Sequence, residues 1–400
     1  MIRRFISTGH LIDSGILSTI LNLIIEEGAD YEIIEFKVGK INTEESRLEI
    51  ELRTESVEQR EALTSKLIAQ GCYEKSAAEA EFAPAQKDRC APENFYSTTN
   101  HRTEIYSGGA WCGVSYQRMD AAIINCGGGF ECRKLRDVKK GDQILTNADA
   151  VRIFPPARKR QKDDFGFMSG EVSSERAADM AVERIAEAFK SMKKNGEKVI
   201  AVAGPVVIHT GGAAALAALI EKGYITGLLS GNAIAVHDIE SQFYGTSLGI
   251  DLKSGRPTHE GHKNHMKAIN RIYNHGSIQQ AVDNGDLSGG LMHTVIKTGI
   301  PYCLAGSIRD DGPLPETEND MIRAQAAYAE IISDASAVLM LSTMLHSIGT
   351  GNMLPSWVNT VCVDINPAVV TKLADRGSGQ AIGIVSDVGL FLNSLADKLV

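Results

Sequence analysis

From Lys198 to the end, the chain repeats one local pattern: a short apolar run, a turn rich in glycine or hydroxyl residues, then a helical stretch. The apolar runs are residues 199–203, 225–229, 301–305, 337–341, 361–363 and 381–385. Runs this short and this apolar fit strands covered on both faces, and helices between them demand parallel crossovers. The pattern predicts a parallel α/β sheet. Ligands of such sheets bind beyond the carboxyl ends of the strands.

The turn after each run is therefore the informative part. These polar turns are Gly204-Pro205 leading to His209, then Ser230-Gly231-Asn232, Gly306-Ser307-Ile308-Arg309-Asp310-Asp311, Ser342-Thr343-Met344-Leu345-His346, Asp364-Ile365-Asn366 and Ser386-Asp387-Val388. Nearly all unusual polar residues of this half gather on one predicted rim. The second run is the most telling. It breaks at Ser230-Gly231-Asn232, and a helix from Ala233 carries His237, Asp238 and Glu240 in its first two turns. A strand turning on glycine into a helix leaves free backbone N–H groups where anions are favoured.

The rim suits a dinucleotide. Asp364 is placed like the acidic residue that bonds a ribose hydroxyl and disfavours a 2′-phosphate, which points to NAD over NADP. Asp364 and Asp387 are equally well placed as helix caps. The Gly-x-Gly-x-x-Gly fingerprint is absent, Thr210-Gly211-Gly212-Ala213 being a poor match. His209, His237 and His346 are strand-end histidines that serve either as core residues or in proton transfer. Arg309 either clamps an anion or pairs with Asp310 and Asp311 in its own loop. By spacing alone Met344 and Leu345 belong to the core.

Two further parts precede this half, giving expected domains at 1–80, 81–165 and 166–400. The first has a β-α-β-β-α order: a strand at 2–6, a helix to about Glu27 capped by Asp13, strands at 31–38 and 47–53, and a helix from Ser56 to about Gln70. That order is ferredoxin-like, common in regulatory or oligomerising modules, so a homo-oligomer is expected. The second part is irregular and β-rich. Its polar run Ser97-Thr98-Thr99-Asn100-His101-Arg102 is either a surface loop or a ligand contact. Cys112 has no assignable base and makes a poor nucleophile. Residues 155–164 read as a linker, and a long helix runs from Ser173 or Ser174 to about Asn195. His259, His262, His265 and His275 crowd a polar insertion at 251–277, which reads as a solvated loop in preference to a transient metal site.

A net charge of -9 argues against nucleic acid or an anionic membrane as the main partner. No apolar segment is long enough to span a bilayer. Seven cysteines without paired spacing fit the cytoplasm and give neither a disulfide framework nor a structural metal site.

Four runs carry a family resemblance: PENFYSTTNH at 92–101, SGNAIAVHDIE at 230–240, LAGSIRDDGPLP at 304–315 and VDINPAVVTKLADRGS at 363–378. They resemble the archaeal-type ornithine cyclodeaminases, a family named after the conserved region of the lysine-ketoglutarate reductase/saccharopine dehydrogenase bifunctional enzyme. The C-terminal half is also similar to the second module of cyanobacterial arginine dihydrolase/ornithine cyclodeaminase. The resemblance covers nearly the whole chain.

It implies a Rossmann-like NAD domain similar to that of deoxyhypusine synthase, and conversion of L-ornithine to L-proline and ammonia through a hydride lent to NAD and recovered. The NAD contacts it implies are Asn232, Ala233, Asp311, Thr343, Met344, Leu345, His346, Asp364, Asp387 and Val388. For the chemistry, the candidates are Arg309 or Arg102 for the substrate carboxylate and Asp238, Glu240 or His237 for proton transfer. The rival readings are an NAD enzyme acting on lysine, saccharopine or arginine, and an NAD-sensing regulatory protein without catalysis.

Overall fold

The computed structural model describes residues 2–12, 14–41, 44–155, 174–252, 254–258, 261–310, 312–369 and 381–400. The chain divides into two compact units, one of Met1–Phe167 with Met353–Trp357, the other of Met168–Asn352 with Val358–Val400.

The first unit holds two sheets. Strands β1 (Ile2–Gly9), β2 (Asp30–Lys37), β3 (Ser46–Arg53) and β4 (Cys72–Glu74) form an antiparallel sheet in the order β2-β3-β1-β4. With helices α1 (Ile16–Glu26) and α2 (Val57–Ala69) this is the ferredoxin-like arrangement, with β4 added to the expected elements. Its core is Phe5, Ile20, Ile24, Leu48, Ile50, Leu63 and Leu67. Ser56 caps α2 as the sequence suggests, accepting a bond from the Gln59 N–H at 3.1 Å. Helix α1 differs, starting after Gly15, which is left-handed at φ 74 and supplies no side-chain cap. Asp13, the expected cap, lies outside the described residues.

The second sheet has seven strands: β5 (Phe82–Pro84), β6 (Arg102–Ser107), β7 (Ala110–Ser115), β8 (Ala122–Asn125), β9 (Phe130–Arg133), β10 (Gln143–Leu145) and β11 (Val151–Phe154). Their order is β11-β6-β7-β9-β8-β10-β5. The sequence suggests strands at 104–106, 114–116, 121–125, 143–146 and 151–154, and the short β5 and β9 carry no such signal. Beyond Pro155, the expected linker lies outside the described residues.

The second unit is built on a seven-stranded, wholly parallel sheet. Its strands are β12 (Lys198–Ala203), β13 (Gly227–Gly231), β16 (Tyr302–Ala305), β17 (Thr317–Glu318), β18 (Ala335–Leu341), β19 (Asn359–Asp364) and β20 (Ala381–Val385). The order is β17-β16-β13-β12-β18-β19-β20. The central strands are apolar and inaccessible, as at Ile200, Val202, Leu228, Leu229, Val338 and Leu339. Around the sheet lie α3 (Ser174–Asn195), α4 (Val206–His209), α5 (Ala213–Glu221), α6 (Asn232–Tyr244), α7 (Asn264–His275), α8 (Ile278–Asp283), α9 (Leu291–Thr298), α10 (Met321–Ile331), α11 (Met344–Gly351) and α12 (Val388–Leu399). Between α6 and α7 a two-stranded hairpin pairs β14 (Thr246–Ser247) with β15 (Ile250–Asp251).

Two departures from expectation have clear causes. Strand β13 continues through Ser230 and Gly231, because the Ser230 hydroxyl is satisfied inside the sheet by the Ala203 carbonyl. Helix α6 therefore begins at Asn232. The polar insertion is not all loop: α7 forms in it and buries Ala268, Ile269 and Ile272.

Candidate active site on the carboxyl edge

Because every strand of this sheet points the same way, all six polar turns leave one edge. The order reverses direction at β12, with β13 on one side and β18 on the other. Such a switch point opens a crevice above the adjacent strand ends. Here the two chains cross closely. The Gly204 N–H donates to the Leu341 carbonyl at 2.9 Å, and a Cβ on Gly204 would lie 2.3 Å from the Ser342 carbonyl oxygen. Ser342 itself is left-handed, at φ 46, a conformation costly for a residue with a side chain and frequent at functional sites.

The N-termini of α6 and α11 open onto this edge. Gly231 and Thr343, at the N-caps of α6 and α11, make no side-chain capping bond, and neither first turn holds an acid. Asn232 does not cap α6. Its Oδ1 accepts from the Leu314 N–H and the Thr317 hydroxyl, both at 3.0 Å, pinning the loop after β16. Ala233 is half-buried beside it.

His346 covers the end of β13, its Nε2 standing 2.8 Å from where a Cβ on Gly231 would be. The Tyr328 hydroxyl donates to the Ser230 carbonyl at 2.7 Å, so it meets His346 Nδ1, 3.0 Å away, as an acceptor. That fixes the proton on Nδ1 and leaves Nε2 with a lone pair. Burial pushes this imidazole below its usual range, with the Asp310 charge pulling the other way.

Met344 and Leu345, core residues by spacing, are instead 48% and 75% exposed. With Ile308, Ile365 and Val385 they put an apolar fringe along the carboxyl edge, drawn from the start of α11, the end of β20 and two of the turns. Asp364, nearly buried, accepts the Asn366 N–H at 2.8 Å, and Asp387 caps α12 by accepting the Leu390 N–H at 2.9 Å. Of the two caps anticipated, that of Asp387 is present; after Asp364 it is Asn366 that takes the capping place, its Oδ1 accepting the Ala368 N–H at 3.0 Å. Val388, the first residue of α12, is buried. Asp311 lies outside the described residues. Arg309 is exposed and forms no ion pair with Asp310, whose carboxylate instead accepts the Ser307 N–H at 2.8 Å.

Above β12 and β13 lies a second, buried polar group. Glu240 is fully inaccessible, and its oxygens accept from His237 Nδ1 (3.1 Å), the Thr246 hydroxyl (2.8 Å), and the Leu248 and Gly249 N–H groups (3.2 and 3.3 Å). Burial alone would raise its pKa. The bonds from His237, Thr246 and Gly249 outweigh burial and hold the carboxyl below its usual range. An ionised Glu240 keeps the proton of His237 on Nδ1, leaving Nε2 as the acceptor. The His209 ring stands 5.0 Å from that of His237, and its Nδ1 meets the Ser247 hydroxyl at 2.7 Å. Burial, then the neighbouring His237, push the His209 imidazole down.

Asp238 is in a different position. Fully inaccessible, it turns both oxygens to the start of α9, accepting the Leu291 and Met292 N–H groups at 2.9 and 2.7 Å. By sequence it ranks level with Glu240; the structure separates them. Arg102, the alternative carboxylate clamp, already bonds Glu104 at 3.0 Å. Of the insertion's histidines, His275 pairs with Asp286 at 2.8 Å, and His259 lies outside the described residues. Thr246, Ser247 and Tyr328 were missed by sequence reasoning, and only the last, a tyrosine on a largely apolar helix face, carried any signal.

Family comparisons cover the chain in three consecutive pieces. Residues 4–101 match the LOR/SDH bifunctional enzyme conserved region, 102–182 the first region of the arginine dihydrolase ArgZ-like C-terminal part, and 183–395 its Rossmann fold. An ornithine cyclodeaminase of Methanocaldococcus jannaschii is 46% identical over 98% of this chain and 94% of its own length. The chain belongs to the archaeal ornithine cyclodeaminase family. Among solved structures, apo ArgZ, a cyanobacterial arginine dihydrolase, is similar with a TM-score of 0.86 and 41% identity, over all of this chain and 58% of that one. A ternary complex of AgrE with ornithine and NAD+ is 43% identical with a TM-score of 0.55, over all of this chain and 57% of that one. AgrE from Nostoc is named a bifunctional arginine dihydrolase/ornithine cyclodeaminase. This ornithine cyclodeaminase-family chain therefore spans a little over half of the bifunctional proteins and nearly all of the archaeal one.

Proposed function

We propose that this protein converts L-ornithine to L-proline and ammonia with NAD held on the carboxyl edge of the parallel sheet. What carries the reading is the near full-length identity to proteins named ornithine cyclodeaminase, together with a relative solved with ornithine and NAD+. The edge itself fits the cofactor: uncapped helix N-termini for a pyrophosphate, glycines where a Cβ would collide, and an exposed apolar fringe for the rings. The residues we assign to NAD are Asn232, Ala233, Asp311, Thr343, Met344, Leu345, His346, Asp364, Asp387 and the backbone of Val388.

Bound there, NAD supplies a hydride acceptor that also serves as donor, since ornithine and proline plus ammonia are at the same oxidation level. The rest falls to the chain. His237 Nε2, held as an acceptor by the ionised Glu240, takes the proton of a substrate amine and later returns it to departing ammonia. Arg309, free of its own loop's acid Asp310, draws the substrate carboxylate. Asp238 we assign to holding α9 in place. We further propose that the chain works in the cytoplasm as a homo-oligomer, in three parts at 1–80, 81–165 and 166–400. No helix among the described residues is long and apolar enough to cross a membrane.

Mass spectrometry of the purified protein tests the cofactor, and an assay following proline, ammonia and NADH tests the reaction. Equal proline and ammonia with no net NADH is the expected result. Net NADH from ornithine or another amino acid would replace the reading with a dehydrogenase.

A further inference from the structure

The second sheet of the first unit contains a cluster with no part in the proposed reaction. Among the described residues, four buried side-chain atoms there have no hydrogen-bond partner: His101 Nδ1, Gln117 Oε1, Arg118 Nε and Arg136 Nε. Buried polar atoms are nearly always paired, so four orphans in one neighbourhood need a cause.

Bonds to the backbone tie the first three together. Gln117 Nε2 donates to the Thr99 carbonyl at 2.6 Å, and the Thr99 hydroxyl accepts the His101 N–H at 3.2 Å. The Thr98 hydroxyl donates to the Arg118 carbonyl at 2.7 Å and accepts the Ala121 N–H at 3.0 Å. The loop carrying Gln117 and Arg118 is held left-handed at both ends, at Tyr116 (φ 55) and Asp120 (φ 58), neither a glycine. Arg118, Lys134 and Arg136 feel one another's charge. Of the nearby acids, Asp137 engages Lys134 at 3.2 Å and stands 3.7 Å from Arg136 Nε, beyond hydrogen-bonding reach.

We propose that this cluster is a receptor for the zwitterionic head of a free α-amino acid. The two unpaired guanidinium N–H groups of Arg118 and Arg136 suit a carboxylate. Gln117 is 6% exposed, and because its amide nitrogen is used by Thr99, the orphan is fixed as the carbonyl oxygen, an acceptor. Burial keeps His101 neutral, so its ring can offer an acceptor too. An ammonium group meets both. A simple anion such as phosphate would satisfy the guanidiniums but confront the Gln117 oxygen with negative charge. The polar run 97–102 is then the floor of a ligand site. Such a site lies beyond the proposed activity and stands independently of it.

Titration calorimetry on the full chain freed of NAD, which cannot turn L-ornithine over, tests it with four probes: L-ornithine, putrescine (no carboxylate), 5-aminopentanoate (no α-amine) and inorganic phosphate. L-Ornithine should bind, with putrescine and 5-aminopentanoate at least about tenfold weaker and phosphate failing to compete. Arg118→Gln and Arg136→Gln should each weaken L-ornithine about tenfold or more while NAD affinity and melting temperature hold. Should Arg118→Gln misfold, Arg118→Lys and Gln117→Met replace it, with the same expected loss. Unchanged L-ornithine affinity in well-folded variants overturns the site, and phosphate displacing L-ornithine overturns its zwitterion specificity. Binding lost in these variants of a protein that turns over no ornithine would refute the activity and leave this site standing.

Discussion

Nδ1 of His237 lies 3.1 Å from Oε2 of Glu240, three residues on along the same helix, and Glu240 has no solvent contact. A buried carboxylate with four donors fixes both its own charge and the tautomer of the histidine. Glu240 acts through His237, and we expect Glu240→Gln to lower kcat for proline formation about 100-fold or more. The amide keeps the shape but not the charge that stabilises a protonated His237. NAD content, read by mass spectrometry, should stay at the wild-type level, which a merely unfolded variant would not do.

Where the chain crosses itself at Gly204 and Ser342, packing leaves no room for a side chain. A methyl on Gly204 would sit 2.3 Å from a backbone oxygen, which cannot step aside cheaply. Gly204→Ala should destabilise the protein by about 2–4 kcal/mol and reduce NAD affinity. Gly349, within α11, has nothing within 4 Å of an added methyl. Gly349→Ala should therefore stabilise by about 0.5–1 kcal/mol through helix propensity. Urea midpoints of the two variants check both signs.

These glycines show how far the sequence could be read. The repeated strand and turn pattern located the sheet and its polar edge, because parallel strands need short apolar runs and glycine at close crossings. It misjudged where satisfaction is internal: Ser230 looks like a strand breaker, yet its hydroxyl is bonded within the sheet. It also misjudged Met344 and Leu345, since helical spacing cannot tell a core stripe from an apolar fringe left open. The contact of His209 with His237 joins residues from α4 and α6, and no local pattern encodes it. Helix α7 was hidden because its polar residues outnumber the three it buries.

Asp286 gives a pH test outside the candidate site. It accepts from Arg271 Nε at 2.7 Å and His275 at 2.8 Å, and the Arg271 bond chiefly lowers its pKa to about 2. A carboxyl depressed in the native state stabilises above its unfolded pKa of about 3.9 and loses that contribution as pH falls through its native value. Stability should therefore drop between about pH 4 and pH 2 in the wild type, and less steeply in Asp286→Asn. The group is partly exposed, so added salt should shrink the difference. Chemical denaturation across that range reads the slope directly.

Asp238 tests whether neighbours on one helix turn have different roles. Its oxygens accept the Leu291 and Met292 N–H groups, so it holds the start of α9 and has no route to a substrate proton. Asp238→Asn retains one acceptor and turns an NH2 group against a backbone N–H. The expected cost is about 1–3 kcal/mol of stability, with kcat within about threefold of wild type. The pH dependence has the opposite sign to that of Asp286. Burial pushes this carboxyl up to about 6, against the two backbone bonds that favour its charged form. An acid whose native pKa is raised binds its proton more tightly when folded, so its contribution falls as pH rises from about 4 to about 6. Asn cannot titrate, and the variant should lose that slope in urea midpoints taken across the range. A collapse of kcat in folded Asp238→Asn, matching that of Glu240→Gln, would return Asp238 to the chemistry and break the division of labour along α6.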